Sequence, residues 1–189
     1  KLVYSGLREW MNTHGLRWGL QVTYVDECTT GCVGDALRKG KTKVVWLETP
    51  SNPTWTITDI AEVSSVVRDA GALIAIDNTV PTPILTQPIK LGADIVLHSC
   101  SKYLNGHGDL IGGAVVVAEG RENVLKDIQN IRNEYGGVLG SFEAWLLLRG
   151  MRTLAVRVKT ASTSALKIAE FLDSCEMVQQ VLYPGLRRH

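Results

Sequence analysis

Residues 99–109 read Ser-Cys-Ser-Lys-Tyr-Leu-Asn-Gly-His-Gly-Asp. They follow a largely apolar run, 93–97, and set one lysine, Lys102, among small hydroxyl residues where a buried strand should end. A lysine in a loop is ordinarily a solvated surface residue. The hydroxyls before it and the glycine-rich turn after it mark Lys102 instead as a candidate reactive amine.

The same arrangement, an apolar strand running into a polar loop, recurs on the amino-terminal side. Residues 72–76 are wholly apolar and end at Asp77-Asn78-Thr79, and 43–47 run into Glu48-Thr49-Pro50-Ser51-Asn52-Pro53. Two prolines in four residues forbid helix or ladder pairing there, so a rigid loop displays Asn52. Between these strands, Asp59 and Glu62 have the spacing of a helix cap and its partner. Ile60, Val63, Val67 and Ala70 recur at helical period until Gly71. Strands apolar on both faces with helices between them predict an α/β fold, a mostly parallel sheet with helices on both faces.

Further outward, the alternation over 20–25 predicts a half-buried strand, followed by a short helical stretch ending near Lys39-Gly40. Residues 112–118 predict another strand and Val124, Leu125, Ile128 and Ile131 a helix stopped by Gly136-Gly137. From Ser141 onward two helices are expected with Gly150 as the bend between them, then a strand over 178–183 that Pro184-Gly185 ends. The expected division is residues 1–140 as the α/β part and 141–189 as long helices and a strand leading onward.

Composition narrows the function. The chain has 189 residues, 45% hydrophobic and 21% charged, with a formal net charge of +1 and its Lys and Arg residues scattered. No basic stripe points to nucleic acid or an anionic membrane, and no apolar run approaches the about 20 residues that span a bilayer. The amino terminus lacks a starting Met and a secretory apolar core, and both ends are expected to be cuts through a larger protein. Cys28, Cys32, Cys100 and Cys175 match no zinc spacing in a chain too long to need disulfide staples, so free thiols in a reducing cytoplasm are expected. Cys28 and Cys32 are read as unrelated loop thiols, Cys100 as packing, His98 as structure, and His107 with Asp109 as shaping the Gly-rich loop rather than holding a metal.

In an open parallel sheet, ligands sit beyond the carboxyl ends of the strands. Three such ends carry Asn52, Asp77 and the 99–109 segment, so these should converge on one crevice. An amine that attacks a carbonyl must be neutral part of the time, which burial and nearby positive charge favour. Pyridoxal 5'-phosphate (PLP) answers to this set: it offers an aldehyde for a lysine, a phosphate for hydroxyls, and a pyridine nitrogen that a carboxylate keeps protonated. Lys102, then Ser99 and Ser101, then Asp77 supply one residue type for each.

With these motifs in hand, Glu48-Thr49-Pro50-Ser51-Asn52-Pro53, Asp77-Asn78-Thr79, Leu91-Gly92-Ala93-Asp94, residues 99–109 and Leu147-Leu148-Arg149-Gly150, the chain resembles the Cys/Met-metabolism family of PLP enzymes. This is the cystathionine γ-synthase, cystathionine lyase and methionine γ-lyase group. The resemblance implies a large PLP-binding domain of the aspartate-aminotransferase fold type, truncated at both ends. It implies that Lys102 is the Schiff-base lysine and also an acid/base, that Asp77 pairs with the ring nitrogen, and that Ser99 and Ser101 hold the phosphate. Asn52 would lie near the cofactor's phenolic oxygen, and Tyr4, in Tyr4-Ser5-Gly6-Leu7, would stack on its ring.

The implied activity is a PLP-dependent lyase or transferase of sulfur amino-acid metabolism, acting by β/γ-elimination or γ-replacement on cystathionine, methionine or an O-acylhomoserine. A homo-oligomer, dimer or tetramer, is the implied assembly. The family's upstream phosphate loop and its carboxylate-gripping arginine are expected to lie outside these 189 residues, so weak or no turnover is expected from them alone. Gly108 resembles methionine γ-lyases and the segment Trp145 to Gly150 resembles cystathionine γ-synthases, which leaves the substrate open. Two rivals remain: a nucleotide-binding α/β domain, for which neither a Gly-x-Gly-x-x-Gly turn nor a P-loop is present, and an inactive scaffold or oligomer partner with the same fold.

Overall fold

The computed structural model describes residues 3–25 and 30–187. Helix α1 (Ser5–Trp10) continues through a wide turn (Met11–Gly15), and α2 (Thr30–Ala36) precedes the sheet. Strands β1 (Val44–Glu48), β2 (Leu73–Asp77), β3 (Ile95–Ser99) and β4 (Gly113–Val117) lie side by side in that order. Helix α3 (Ile60–Asp69) links β1 to β2, and a short helix α4 (Thr82–Leu85) lies between β2 and β3. Helices α5 (Glu122–Tyr135), α6 (Ser141–Met151) and α7 (Leu154–Asp173) follow the sheet.

Strands β1, β2 and β3 are parallel, whereas β4 returns antiparallel to β3. The connection from β3 to β4 carries only a wide turn at Cys100–Leu104 and a loop. A parallel return needs a long crossover, usually a helix, and this link has none. The mostly parallel α/β sheet read from the sequence is therefore present.

Apolar alternation decides what covers the sheet. Val45 and Leu47 of β1, Ile74 and Ile76 of β2 and Val96 of β3 share one face and pack with Val33 of α2 and Ile60, Val63 and Val67 of α3. Leu47, Ile76, Val63 and Val67 are fully buried. Each such side chain contributes about 1.5–3 kcal/mol relative to leaving it in water. A second cluster joins Cys100, Leu104 and Leu110 to Leu154 and Val158 of α7, with Ala114 of β4 and Leu146 and Leu147 of α6 packed against it. The segment that carries Lys102 thus rests on α6 and α7.

The predicted cap of α3 is formed: the Asp59 carboxylate accepts the Glu62 N–H at 3.0 Å. At the other end, Gly71 takes a left-handed φ of +73° that stops the helix. Replacing Asp59 by Ala is expected to lower stability by about 1 kcal/mol in urea unfolding, with Asp59→Asn near parental. The motif at 91–94 is structural. Asp94 accepts the Ile74 N–H at 2.9 Å with one oxygen and pairs with Arg121 at 2.7 Å through the other, tying β2 and β3 to the start of α5.

Three local expectations are corrected. Residues 20–25 form no strand: Leu20 N–H returns to Gly15 O at 3.0 Å, and Val25 packs against the sheet's apolar cluster. Residues 178–183 form none either, and the Tyr183 hydroxyl reaches Ser162 O of α7 at 3.3 Å. Leu20, Tyr24 and Leu182 stay exposed, so in neither stretch does the alternation mark a buried face, and among the described residues neither has a partner strand. Gly150 does not bend the chain. It lies inside α6, and the break comes at Arg152 and Thr153. A Cβ on Gly150 would run into the Asn105 carbonyl, so its lack of a side chain serves close packing.

Candidate active site

The strand ends bring the candidates together by register. Glu48 pairs with Asp77 and Asp77 with Leu97, two residues before Ser99, so Glu48, Asp77 and Ser99 share the sheet face opposite the α2–α3 cluster. Immediately beyond β3 the chain enters the wide turn. Lys102 leaves helical dihedrals inside it, at φ −98° and ψ −125°. The lysine Nζ stands 5.4 Å from the centre of the Tyr4 ring.

Two residues of the quoted motifs had no assigned role, and they fasten this arrangement. Glu48, 8% exposed, accepts the Tyr4 N–H at 2.9 Å and the backbone N–H of Asn52, so one carboxylate draws Tyr4 and the Asn52 loop to the end of β1. Thr79 donates its N–H to Asp77 Oδ1 at 3.0 Å, and its hydroxyl accepts the Ser99 N–H at 2.8 Å. Thr79 thereby locks the Asp77 loop to the start of the lysine segment. The signal for both lay in their position at a strand's carboxyl end, but neither side chain advertises chemistry of its own.

Electrostatics follow from burial. Desolvation pushes the Glu48 carboxyl above its ordinary 4.5, the neighbouring Asp77 carboxylate adds to the rise, and the Tyr4 and Asn52 N–H groups and the Lys102 ammonium oppose it. The folded chain therefore holds that proton more tightly than the unfolded chain. Glu48 contributes stability below pH 4.5 that is lost as pH rises through the raised value. Glu48→Gln, whose amide oxygen still accepts the Tyr4 N–H, is expected to remove this loss. Melting curves of variant and parent should then diverge in the variant's favour as pH rises from 4.5. His98 is pushed the other way: burial lowers its pKa, with Asp77 and a backbone bond at Asn78 opposing, so the imidazole beside Asp77 is neutral at pH 7. The structural reading of His98 and the packing reading of Cys100, fully buried in the second cluster, agree with these placements.

Lys102 itself departs from expectation. It is exposed, and the charged group shown acting with it is the Glu48 carboxylate. Beyond the strand ends, the face that carries Asp77 and Ser99 is open to solvent at Tyr4, Asn52 and Lys102. Ser101 is also engaged differently from a free phosphate ligand. Its hydroxyl accepts the Gly112 N–H at 3.0 Å and lies 3.4 Å from the Gly112 carbonyl. The first bond survives if the hydroxyl proton turns toward a phosphate.

PLP requires an amine, a carboxylate with a free oxygen, and hydroxyl or N–H donors, and the residues present fit it. Asp77 Oδ1 is taken by Thr79, while Oδ2 and the Ser99 hydroxyl have no hydrogen-bond partner among the described residues. Asn78 Oδ1 and His98 Nδ1, close to Asp77, are buried with no hydrogen-bond partner among the described residues. The glycine-rich turn is shaped internally, His107 Nδ1 meeting Asn105 O at 2.7 Å and Asn105 Nδ2 meeting Asp109 at 2.6 Å. Among the described residues no group of three His, Cys, Asp or Glu side chains is placed to hold a metal. None of their helices is long and apolar enough to cross a membrane. Cys100 and Cys175 are free thiols, while Cys28, and with it any pairing to Cys32, lies outside the described residues. A groove of about 760 Å³ between the Thr54–Ile57 loop and the tail at 178–184 lies apart, and none of the predicted site residues lines it.

Comparison with known proteins agrees with this chemistry. The sequence matches the family described as Cys/Met metabolism PLP-dependent enzyme over residues 1–189. It is 42% identical to the cystathionine gamma-lyase of Bacillus subtilis (strain 168), covering 99% of this chain and 48% of that protein. It is 39% identical to a cystathionine gamma-synthase of Mycobacterium bovis, covering 98% of this chain and 47% of that protein. The crystal structure of cystathionine gamma-lyase from Lactobacillus plantarum complexed with L-serine superposes with a TM-score of 0.95 at 38% identity, covering all of this chain and 49% of that one. The chain thus spans about half the length of the relatives it matches. With the family's description matched over its whole length and relatives at about 40% identity, the chain belongs to the Cys/Met metabolism PLP-dependent enzyme family.

Proposed function

We propose that the polypeptide containing this chain is a PLP-dependent lyase or transferase of transsulfuration, acting on cystathionine, methionine or an O-acylhomoserine by β/γ-elimination or γ-replacement. The observation that carries the reading is the presence, at the carboxyl end of one sheet, of an open Asp77 oxygen at the end of β2 and of the Lys102 amine in the turn after β3. Bound PLP supplies an aldehyde that bonds amines and a protonated ring that draws electrons from the substrate.

The protein's residues do the rest. Lys102 would hold the cofactor through its amine and would move the proton at the substrate's α carbon. Asp77 Oδ2 would keep the ring nitrogen protonated, while Thr79 fixes the other oxygen. Ser99, with its hydroxyl open, and Ser101, whose hydroxyl proton can turn from Gly112, would hold the phosphate. Tyr4, placed by Glu48, would offer its ring face to the cofactor, and Asn52 would serve its phenolic oxygen. In this reading residues 1–140 hold the cofactor and 141–189 buttress the lysine segment. The free thiols of Cys100 and Cys175 support a cytoplasmic setting. The exposed stripe of Phe142, Trp145 and Leu148 along α6 supports a homo-oligomer, dimer or tetramer.

Incubating the full-length polypeptide and PLP separately with cystathionine, methionine, and O-succinyl- or O-acetylhomoserine plus cysteine tests this. Release of a keto acid and ammonia identifies elimination, and formation of cystathionine identifies replacement. Turnover of none of them, with no PLP bound, would favour the scaffold alternative.

A further inference from the structure

We infer that Arg157, on α7, is a positioning residue for Lys102: its guanidinium holds the three peptide carbonyls that directly follow the lysine and so sets where the amine stands relative to Asp77. The inference rests on the reading of Lys102 as the residue that bonds the cofactor.

Arg157 makes five hydrogen bonds, all to uncharged oxygens. Nη1 donates to Tyr103 O at 2.8 Å, Nη2 to Gly150 O at 2.9 Å and, at 3.4 Å each, to Leu104 O and Asn105 O. Nε donates to Thr153 Oγ1 at 3.0 Å. The one ion pair found among the described residues is Arg121 with Asp94, so no carboxylate competes for this guanidinium. Its charge is matched instead by the carbonyl end of α6, where Gly150 lies, the end of a helix that favours a cation.

This contact follows the one departure from helical dihedrals in the turn. Lys102 breaks the run at φ −98° and ψ −125°, and the turn is then closed by Asn105 N–H on Cys100 O at 3.1 Å and Gly106 N–H on Lys102 O at 2.7 Å. A backbone that leaves the helical path needs its next carbonyls satisfied elsewhere. Arg157 does so for Tyr103, Leu104 and Asn105 together. Two glycines keep the space clear. Gly106 has a φ of +78°, and a Cβ there would meet the Arg157 guanidinium. A Cβ on Gly150 would meet the Asn105 carbonyl.

A planar fork with five donors spans these acceptors, whereas a lysine ammonium at the same place is a single point charge. Arg157→Lys therefore separates geometry from charge. It keeps a cation at the end of α6 and loses the fork.

The full-length polypeptide stripped of cofactor is compared as parent, Arg157→Lys and Arg157→Gln. Three quantities are read: the rate of PLP attachment to Lys102 across pH, trapped by borohydride and mapped by mass spectrometry; hydrogen exchange of the amides of residues 103–106 without cofactor; and the melting temperature. Misplacing a reacting group by about 1 Å costs on the order of 10²-fold, so attachment should slow by about ten- to a hundredfold in both variants. The pH profile should shift and exchange at 103–106 should rise. Arg157→Lys should melt near the parent, and methylguanidinium should restore part of the rate in a third variant, Arg157→Ala. A lower melting temperature with parental attachment rate and pH profile would reduce Arg157 to a structural clamp and overturn the inference. A parent that takes no label at Lys102 would overturn the reading beneath it.

Discussion

Replacing Lys102 by alanine is expected to abolish covalent attachment of PLP and to lower turnover of the full-length polypeptide by about 10⁴-fold, the upper range for removal of a positioned acid/base. Lys102 is the amine beside the Tyr4 ring, and its charge acts on the strand-end carboxylate Glu48. Lys102→Arg sharpens the test. A guanidinium keeps the positive charge opposite Glu48 but stays protonated at any working pH, so it can neither bond an aldehyde nor accept a proton. Both variants should fail alike in attachment and turnover. Because the side chain is exposed, melting should change by no more than about 0.5 kcal/mol of stability. A variant that keeps attaching PLP while folded would show that another amine does the chemistry.

Asp77→Asn should lower turnover by about 10²–10³-fold while PLP remains covalently attached, the scale seen when one preorganised electrostatic partner is removed from a reacting centre. The amide oxygen of asparagine still accepts the Thr79 N–H that Asp77 Oδ1 receives at 3.0 Å, so the loop is kept and only the charge at the second oxygen is lost. Asp77→Ala removes both. Thr79 also holds the Ser99 N–H, so alanine should in addition weaken cofactor binding through the displaced Ser99. Steady-state kinetics with equilibrium dialysis of PLP distinguish the two: the asparagine variant changes turnover with little change in binding, and the alanine variant changes both.

The parts of this account that the sequence made legible are those where a side chain's own chemistry and its neighbours in the chain carry the information. Ile74 and Ile76 lie in a run apolar on both faces, and Asp59 with Glu62 announces the start of α3, so β2, its helix and the position of Asp77 just past them could be read in order. The rule that parallel strands present ligands at their carboxyl ends then brought Asp77 and Ser99 to one face.

What escaped reading depends on distant partners. The alternation at 20–25 and 178–183 says neither whether a neighbouring strand exists nor whether the apolar side chains will be covered. Glu48 fastens Tyr4 and Asn52 through backbone N–H groups, and Arg157 fastens 103–105 through carbonyls. Every residue but proline offers the same N–H and every residue the same carbonyl, so nothing in a one-dimensional string says which side chain will find them. Gly150 was misread for the same reason, since its role is set by the Asn105 carbonyl of another segment. The exposure of Lys102 likewise depends on what lies over an open crevice, which local pattern does not report.

Borohydride reduction after incubation of the full-length polypeptide with PLP tests whether Lys102 is the amine that bonds the cofactor. Peptide mapping by mass spectrometry should find one reduced pyridoxyl adduct, on Lys102, lost in Lys102→Arg. Bound PLP with the adduct on a different lysine, or with no adduct at all, would contradict that assignment.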